Sequence, residues 1–201
     1  MFDPNETFKA LNRQNVTLPD PVPEHPLLDG KKEIGRGEYS IVLDKGDGER
    51  VYKVITSPAD YFLLTADDRP QGPHFPIVYC DHGVIGRAQS GYMFHLLEME
   101  RLYPLAPGST AAYKAAKLIE LYWDTCLKWR KLRLDMGTIA LQQMIINPNP
   151  FLAGQMTILS SLKALSEFID SYEIKPDLLK ADNLMMRKDG TLVFSDPVFI
   201  V

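Results

Sequence analysis

The chain has 201 residues, enough for one ordinary domain or two small lobes, and at 45% hydrophobic and 24% charged it has a globular composition rather than a disordered one. Its formal net charge of -4 gives no general attraction to nucleic acid or to an anionic membrane, since both need a basic surface. Two cysteines cannot build a disulfide framework, no apolar run is long enough to span a bilayer, and the start Met1-Phe2-Asp3-Pro4-Asn5-Glu6 lacks the basic and apolar regions of a signal peptide; a soluble protein of a reducing cytoplasm is the expectation.

Residues 1–30 are rich in Pro, Asn and Asp, with Pro19, Pro21, Pro23 and Pro26 close together, and read as an extended arm. A short helix from Pro4 to Asn12, capped by Asp3, fits its first part. From Lys32 to Ile55 the pattern is that of strands, and Ser40–Leu43 and Arg50–Ile55 flank the hairpin signal Lys45-Gly46-Asp47-Gly48. Ser57-Pro58-Ala59-Asp60 opens a helix, with Ser as cap and Pro at the first position, and Asp67 to Pro73 closes it. Strands follow around Pro76–Tyr79 and Tyr92–Leu97. Helices are expected from Ser109 to about Arg133, from Gly137 to Ile146, and from Gln155 to Tyr172, where Ile158, Leu162, Leu165 and Ile169 recur at helical spacing. Asn147-Pro148-Asn149-Pro150 reads as a stop. The end is a second hairpin, Leu184–Arg187 and Thr191–Phe194 around Lys188-Asp189-Gly190. The fold class expected is α+β, a small antiparallel sheet lobe followed by a mainly helical one.

Three clusters carry chemistry. In Ile34-Gly35-Arg36-Gly37-Glu38-Tyr39-Ser40 the glycines let backbone N–H groups approach a phosphate; a plain hairpin turn is the bland alternative. Lys53, in Val51-Tyr52-Lys53-Val54, lies on the strand returning from that turn, where a surface lysine on a half-buried strand is the competing reading. Asp177-Leu178-Leu179-Lys180-Ala181-Asp182-Asn183 and Ser195-Asp196-Pro197 place an amide and a carboxylate around two short strands, a pair suited to Mg²⁺, though either residue could serve its own turn. Cys80-Asp81-His82, with His74 nearby, lacks a second ligand pair at zinc-finger spacing. Lys128, Arg130, Lys131 and Arg133 read as a solvated helix face.

From about Gly35 to Phe199 the chain resembles the protein-kinase fold, and more closely the early serine/threonine protein kinases of podophages. The resemblance rests on Gly35-Arg36-Gly37-Glu38-Tyr39-Ser40, on Val51-Tyr52-Lys53-Val54 and on His74-Phe75-Pro76-Ile77-Val78-Tyr79. It continues through Leu97-Glu98-Met99-Glu100-Arg101-Leu102 and ends with Asp182-Asn183-Leu184-Met185 and Ser195-Asp196-Pro197-Val198. It implies a minimal bilobal protein-kinase-like fold, with an N-lobe and hinge over 31–102 and a truncated, mostly helical C-lobe over 103–201. It implies ATP and Mg²⁺ as cofactors and a host protein as substrate or target in the host cytoplasm. Gly35, Gly37 and Ser40 would face the phosphates and Lys53 would pair them. Glu98 to Glu100 would offer main-chain hydrogen bonds to adenine, Asn183 and Asp196 would hold magnesium, and Lys180 would neutralise the transferring phosphate.

The kinase loop H-R-D-x-x-x-x-N sets its Asp five positions before the Asn. Here Leu178 stands at that position and Asp177 lies one earlier, so Asp177 is read as the displaced base, with a one-residue bulge absorbing the difference. Asp60 is the acid read as partner to Lys53. Only five residues follow Asp196 in this chain, and the expected grip on a substrate passes to the arm or to the 109–150 helices. The competing readings are a nucleotide-binding pseudokinase that inhibits a host protein by docking, and a small-molecule kinase of the aminoglycoside or choline type, which usually has His where Lys180 stands.

Overall fold

A computed structural model describes residues 17–129, 136–178 and 181–199. The helix expected from Pro4 to Asn12 lies outside the described residues, as do Lys180 and, of the basic cluster, Arg130, Lys131 and Arg133. The chain is α+β and divides into two compact units: one takes the described residues up to Asp67 together with Pro76–Arg101, the other takes Asp68–Phe75 together with the described residues from Leu102 onward. Among the described residues no helix is long and apolar enough to cross a membrane.

The first unit is a five-stranded antiparallel sheet. Its strands are β1 (Glu33–Arg36), β2 (Ser40–Asp44), β3 (Arg50–Ile55), β4 (Val78–Arg87) and β5 (Met93–Glu100), in the order β1-β2-β3-β5-β4. The β2–β3 hairpin forms where the glycines predict it, because Gly46 and Gly48 take φ of 98° and 78°, a region that costs other residues. Asp47 Oδ1 accepts the N–H groups of Glu49 and Arg50 at 2.9 and 2.8 Å, which pulls its pKa to about 2. Alternation along the strands separates two apolar faces. Ile41, Leu43, Tyr52, Val54, Phe94 and Leu96 pack on one side with Leu18 and Leu28. Val51, Ile55, Leu97 and Met99 pack on the other with Leu64 of helix α1 (Pro58–Thr65). Residues 17–30, read from sequence as an arm, therefore supply core to this sheet. Strand β4 runs well past Tyr79, through Gly83 and Gly86 that look like breakers, because bulges at three points along its pairing with β5 absorb them.

Helix α1 starts as its sequence dictates: Ser57 is the cap, its Oγ accepting from Asp60 N–H at 3.3 Å, and Pro58 takes the first turn. Ala59, Asp60, Leu63 and Leu64 form its buried face, which packs on β3 and β4.

The second unit is built on α2 (Thr110–Trp129), α3 (Met136–Ile146), α4 (Pro150–Ala153) and α5 (Met156–Tyr172). Helix α3 packs against both α2 and α5. On α5, Ile158, Leu162, Leu165 and Ile169 are buried, as the periodicity requires. The stop at Asn147–Pro150 is also a start: Asn149 Oδ1 accepts from Leu152 N–H at 2.9 Å and Pro150 opens the single-turn α4. Two small antiparallel sheets complete the unit, β6 (Lys175–Pro176) with β9 (Val198–Phe199), and β7 (Leu184–Met186) with β8 (Leu192–Phe194).

Candidate functional site

The two small sheets are nested, and the nesting gathers residues far apart in sequence. Strand β6 leads directly into Asp177 and β9 directly follows Pro197; the Asp177 N–H donates to the Pro197 carbonyl at 2.7 Å, adding a rung to that ladder. Within this bracket a short 3₁₀ turn, Ala181–Asn183, leads into β7, while Ser195 and Asp196 leave β8. The N–H groups of Ser195 and Asp196 both point at the Asn183 carbonyl, at 2.8 and 3.4 Å. The Asn183 side-chain amide donates to the Asp177 carbonyl at 2.8 Å, and the Ser195 hydroxyl donates to the Asp182 carbonyl at 3.2 Å. Asp177, Asn183 and Asp196, each half-buried, are thereby held at the junction of the two sheets.

Leu178, at the position where the kinase pattern expects its acid, is 3% exposed and belongs to the core. The neighbouring Asp177 is half-buried. Lys180 lies outside the described residues.

The donor set can be tested against magnesium. With its Nδ2 committed to Asp177, Asn183 has its amide oxygen as the remaining side-chain acceptor. Asp196 is tied to Asn183 through its main chain, its N–H pointing at the Asn183 carbonyl at 3.4 Å. Among the described residues no three His, Cys, Asp or Glu side chains come together, so an all-protein cage for zinc or calcium has no donors there. Magnesium takes few protein ligands and fills its octahedron with phosphate oxygens and water, so the absence of such a cage does not bear on it. His74, a possible metal ligand by sequence, is a buried structural residue. Its Nδ1 meets the Leu192 carbonyl at 2.6 Å and its Nε2 the Thr157 hydroxyl at 3.0 Å. Since a carbonyl only accepts, Nδ1 carries the proton.

In the sheet unit Lys53 occupies the central strand, opposite Val42 on β2 and Leu97 on β5. It shares the face of Val51, Ile55, Leu97 and Leu64 and is 7% exposed. Such burial is uncommon for lysine outside functional sites or ion pairs. Asp60 is also buried, on the face of α1 that covers β3.

Gly35 and Gly37 have no left-handed backbone torsion, and a Cβ on either would meet only ordinary contacts, Val42 Cβ at 3.8 Å and Ser40 Oγ at 3.7 Å. The fold does not demand glycine at these two positions. Ser40 begins β2, and its carbonyl accepts from Gly37 N–H at 2.9 Å.

Glu98 and Glu100 lie within β5, between β3 and β4. Alternation sends the Glu98 side chain to the face opposite Lys53, where its carboxylate takes Lys45 Nζ and Arg50 Nη1, each at 2.6 Å. The Lys45 ammonium, with Arg50 beside it, holds the Glu98 carboxyl below the usual range. The Glu100 N–H donates to the Ile77 carbonyl at 2.9 Å.

Sequence reading missed the support beneath Asp177. The Tyr122 hydroxyl donates to the Pro176 carbonyl at 3.2 Å, and Gly137 on α3 leaves room for it, since a Cβ there would lie 2.5 Å from that hydroxyl. Read from sequence as the first residue of a helix, Gly137 gives no signal of this contact.

Comparison with family models, with curated proteins and with solved structures gives no match to this chain.

Proposed function

We propose that this protein is an ATP- and magnesium-dependent serine/threonine protein kinase of reduced kinase-like fold, of the kind the podophage enzymes represent, acting on proteins of a host cell. The observation that carries the reading is the convergence of Asp177, Asn183 and Asp196, tied together by the 2.8 Å bond from the Asn183 amide to the Asp177 carbonyl and by the two N–H groups aimed at the Asn183 carbonyl. The Asn183 amide nitrogen also serves the turn itself, so the reading rests on the Asn183 amide oxygen and on the carboxylates of Asp177 and Asp196.

In this reading Asn183 and Asp196 supply side-chain oxygens to magnesium, whose charge, when bound, offsets that of the nucleotide phosphates. Asp177 is the base: it accepts the proton of the attacking serine or threonine hydroxyl and orients its oxygen toward the γ-phosphorus. Lys53, on the sheet unit, is the cation for the phosphates, and Gly35 and Gly37 keep a turn whose backbone an anion can approach. The expected test is magnesium-dependent binding of ATP by calorimetry. Wild type binds, and Asp196→Ala weakens binding at least about tenfold, a loss of one charged ligand to the metal. A folded wild-type protein with no affinity for MgATP sinks the proposal.

The second reading is a nucleotide-binding pseudokinase that acts by docking to a host protein. The observation on its side is the core position of Leu178 where an acid is expected. It predicts MgATP binding without phosphoryl transfer.

A further inference from the structure

The glycine-rich turn is tied to the segment that precedes the sheet, and the tie runs through Arg36. An arginine between two glycines is a natural ligand for phosphate, because its planar fork matches phosphate oxygens. Here that fork is already occupied. Nε and Nη2 donate to the two carboxylate oxygens of Glu33 at 2.8 and 2.7 Å, and Nη1 donates to the carbonyls of Leu18 and Asp20 at 2.9 and 2.6 Å. The same segment holds the turn a second time, the Leu18 N–H donating to the Gly37 carbonyl at 2.7 Å.

The segment is seated by burial as well as by hydrogen bonds. Leu18 is 5% exposed and packs into one apolar face of the sheet, with Ile41, Leu43 and Phe94. Asp20 is 4% exposed and its Oδ1 accepts the Gln89 N–H at 2.6 Å, joining the segment to the turn between β4 and β5. Its other oxygen, Oδ2, is buried with no hydrogen-bond partner among the described residues. A half-satisfied buried carboxylate costs free energy. The seat therefore combines an apolar anchor that holds it with a polar group that favours release.

We propose that Leu18–Asp20 is a strap whose seating sets the glycine-rich turn, with Arg36 as the positioning residue: seated, it holds the turn and occupies Nη1 of the guanidinium; unseated, it loosens the turn and frees Nη1 for phosphate, while Glu33 keeps Nε and Nη2. The effect on nucleotide rests on the kinase reading above; the effect on the turn does not.

Hydrogen exchange of the turn amides from Gly37 to Ser40, compared with those of β5, tests the strap. Leu18→Asp drives the strap from its apolar seat, and Arg36→Gln cuts its polar tie. Each is expected to speed exchange in the turn roughly tenfold or more while β5 keeps its wild-type protection, since the lost bonds involve a charged donor or the apolar anchor itself. Turn exchange unchanged in Arg36→Gln overturns the proposal, and this variant decides the matter alone if Leu18→Asp exposes β5 as well. Calorimetry with MgATP then separates the two claims. Tighter binding in Leu18→Asp, abolished by adding Arg36→Gln, supports release of Nη1, and unchanged or weaker binding in Leu18→Asp overturns that release. Absence of MgATP binding in every form, wild type included, refutes the kinase reading and leaves the exchange result to decide the strap.

Discussion

Gly137→Ala is the substitution by which the support under Asp177 can be measured. A Cβ at this position would lie 2.5 Å from the Tyr122 hydroxyl, with Pro176 Cγ at 3.3 Å on another side. Tyr122 is 1% exposed, so its ring cannot swing clear without disturbing the helix core around it. Its hydroxyl must withdraw from the Pro176 carbonyl, losing a buried hydrogen bond worth about 0.5–1.5 kcal/mol. Overpacking adds roughly 1–3 kcal/mol, and the better helix propensity of alanine returns about 1 kcal/mol. The net expectation is a destabilisation of about 0.5–3.5 kcal/mol, which lowers Tm by roughly 1–14 °C in a chain of this size. Urea titrations followed by circular dichroism give the number. The reasoning is specific to the hydroxyl, so the same substitution placed in a Tyr122→Phe background should cost less than half as much. An equal cost in both backgrounds, or a gain in stability in the first, would refute the packing argument.

The other glycines of interest should behave differently. Gly37→Ala is expected to leave stability within about 0.5 kcal/mol of wild type, because its Cβ finds ordinary contacts, yet to weaken MgATP binding; a large loss of stability would show that the fold, and not a ligand, uses this glycine. Glu173 closes α5 in the left-handed region at φ 55°, so Glu173→Gly should raise stability by about 0.5–1 kcal/mol in a urea titration, and a loss would contradict the strain assigned to it. Burial, with the cations Lys114 and Arg187 nearby, holds the His74 imidazole below its usual pKa of 6.5. The unfolded chain therefore takes up a proton that the folded protein resists, and the stability of wild type is full above about pH 6.5 and falls as pH drops toward the depressed folded value. His74→Gln should flatten that part of the curve; parallel curves would remove His74 as the cause.

Much of this architecture could be read from local signals. The Ser57-Pro58 helix start, the Gly46/Gly48 hairpin and the spacing of Ile158, Leu162, Leu165 and Ile169 are each dictated by residues a few positions apart, and the structure follows them. What the sequence hid depends on partners distant in the chain. Strands β6 and β9 are two residues long and pair Lys175 with Phe199, a contact no periodicity can announce. The role of residues 17–30 turns on Leu18 and Leu28 entering the core, whereas composition alone, heavy in proline, reads as an arm. Strand β4 continues through Gly83 because a bulge tolerates what a regular strand does not. For the candidate site, residue types and order singled out Asp177, Asn183 and Asp196, while the bonds joining Asn183 to Asp177 and to Asp196 emerge only once the two small sheets are formed.

Transfer of the labelled γ-phosphate of ATP to protein, in a bacterial lysate with magnesium, tests the central claim most directly. Purified wild type, Asp177→Asn and Asp196→Ala, each confirmed as folded, would be compared. The account predicts label on protein with wild type, loss with Asp196→Ala, and a loss of at least about a hundredfold with Asp177→Asn, the scale of a missing general base. Label unchanged in Asp177→Asn would contradict its role as base, and no label from wild type would contradict the kinase itself.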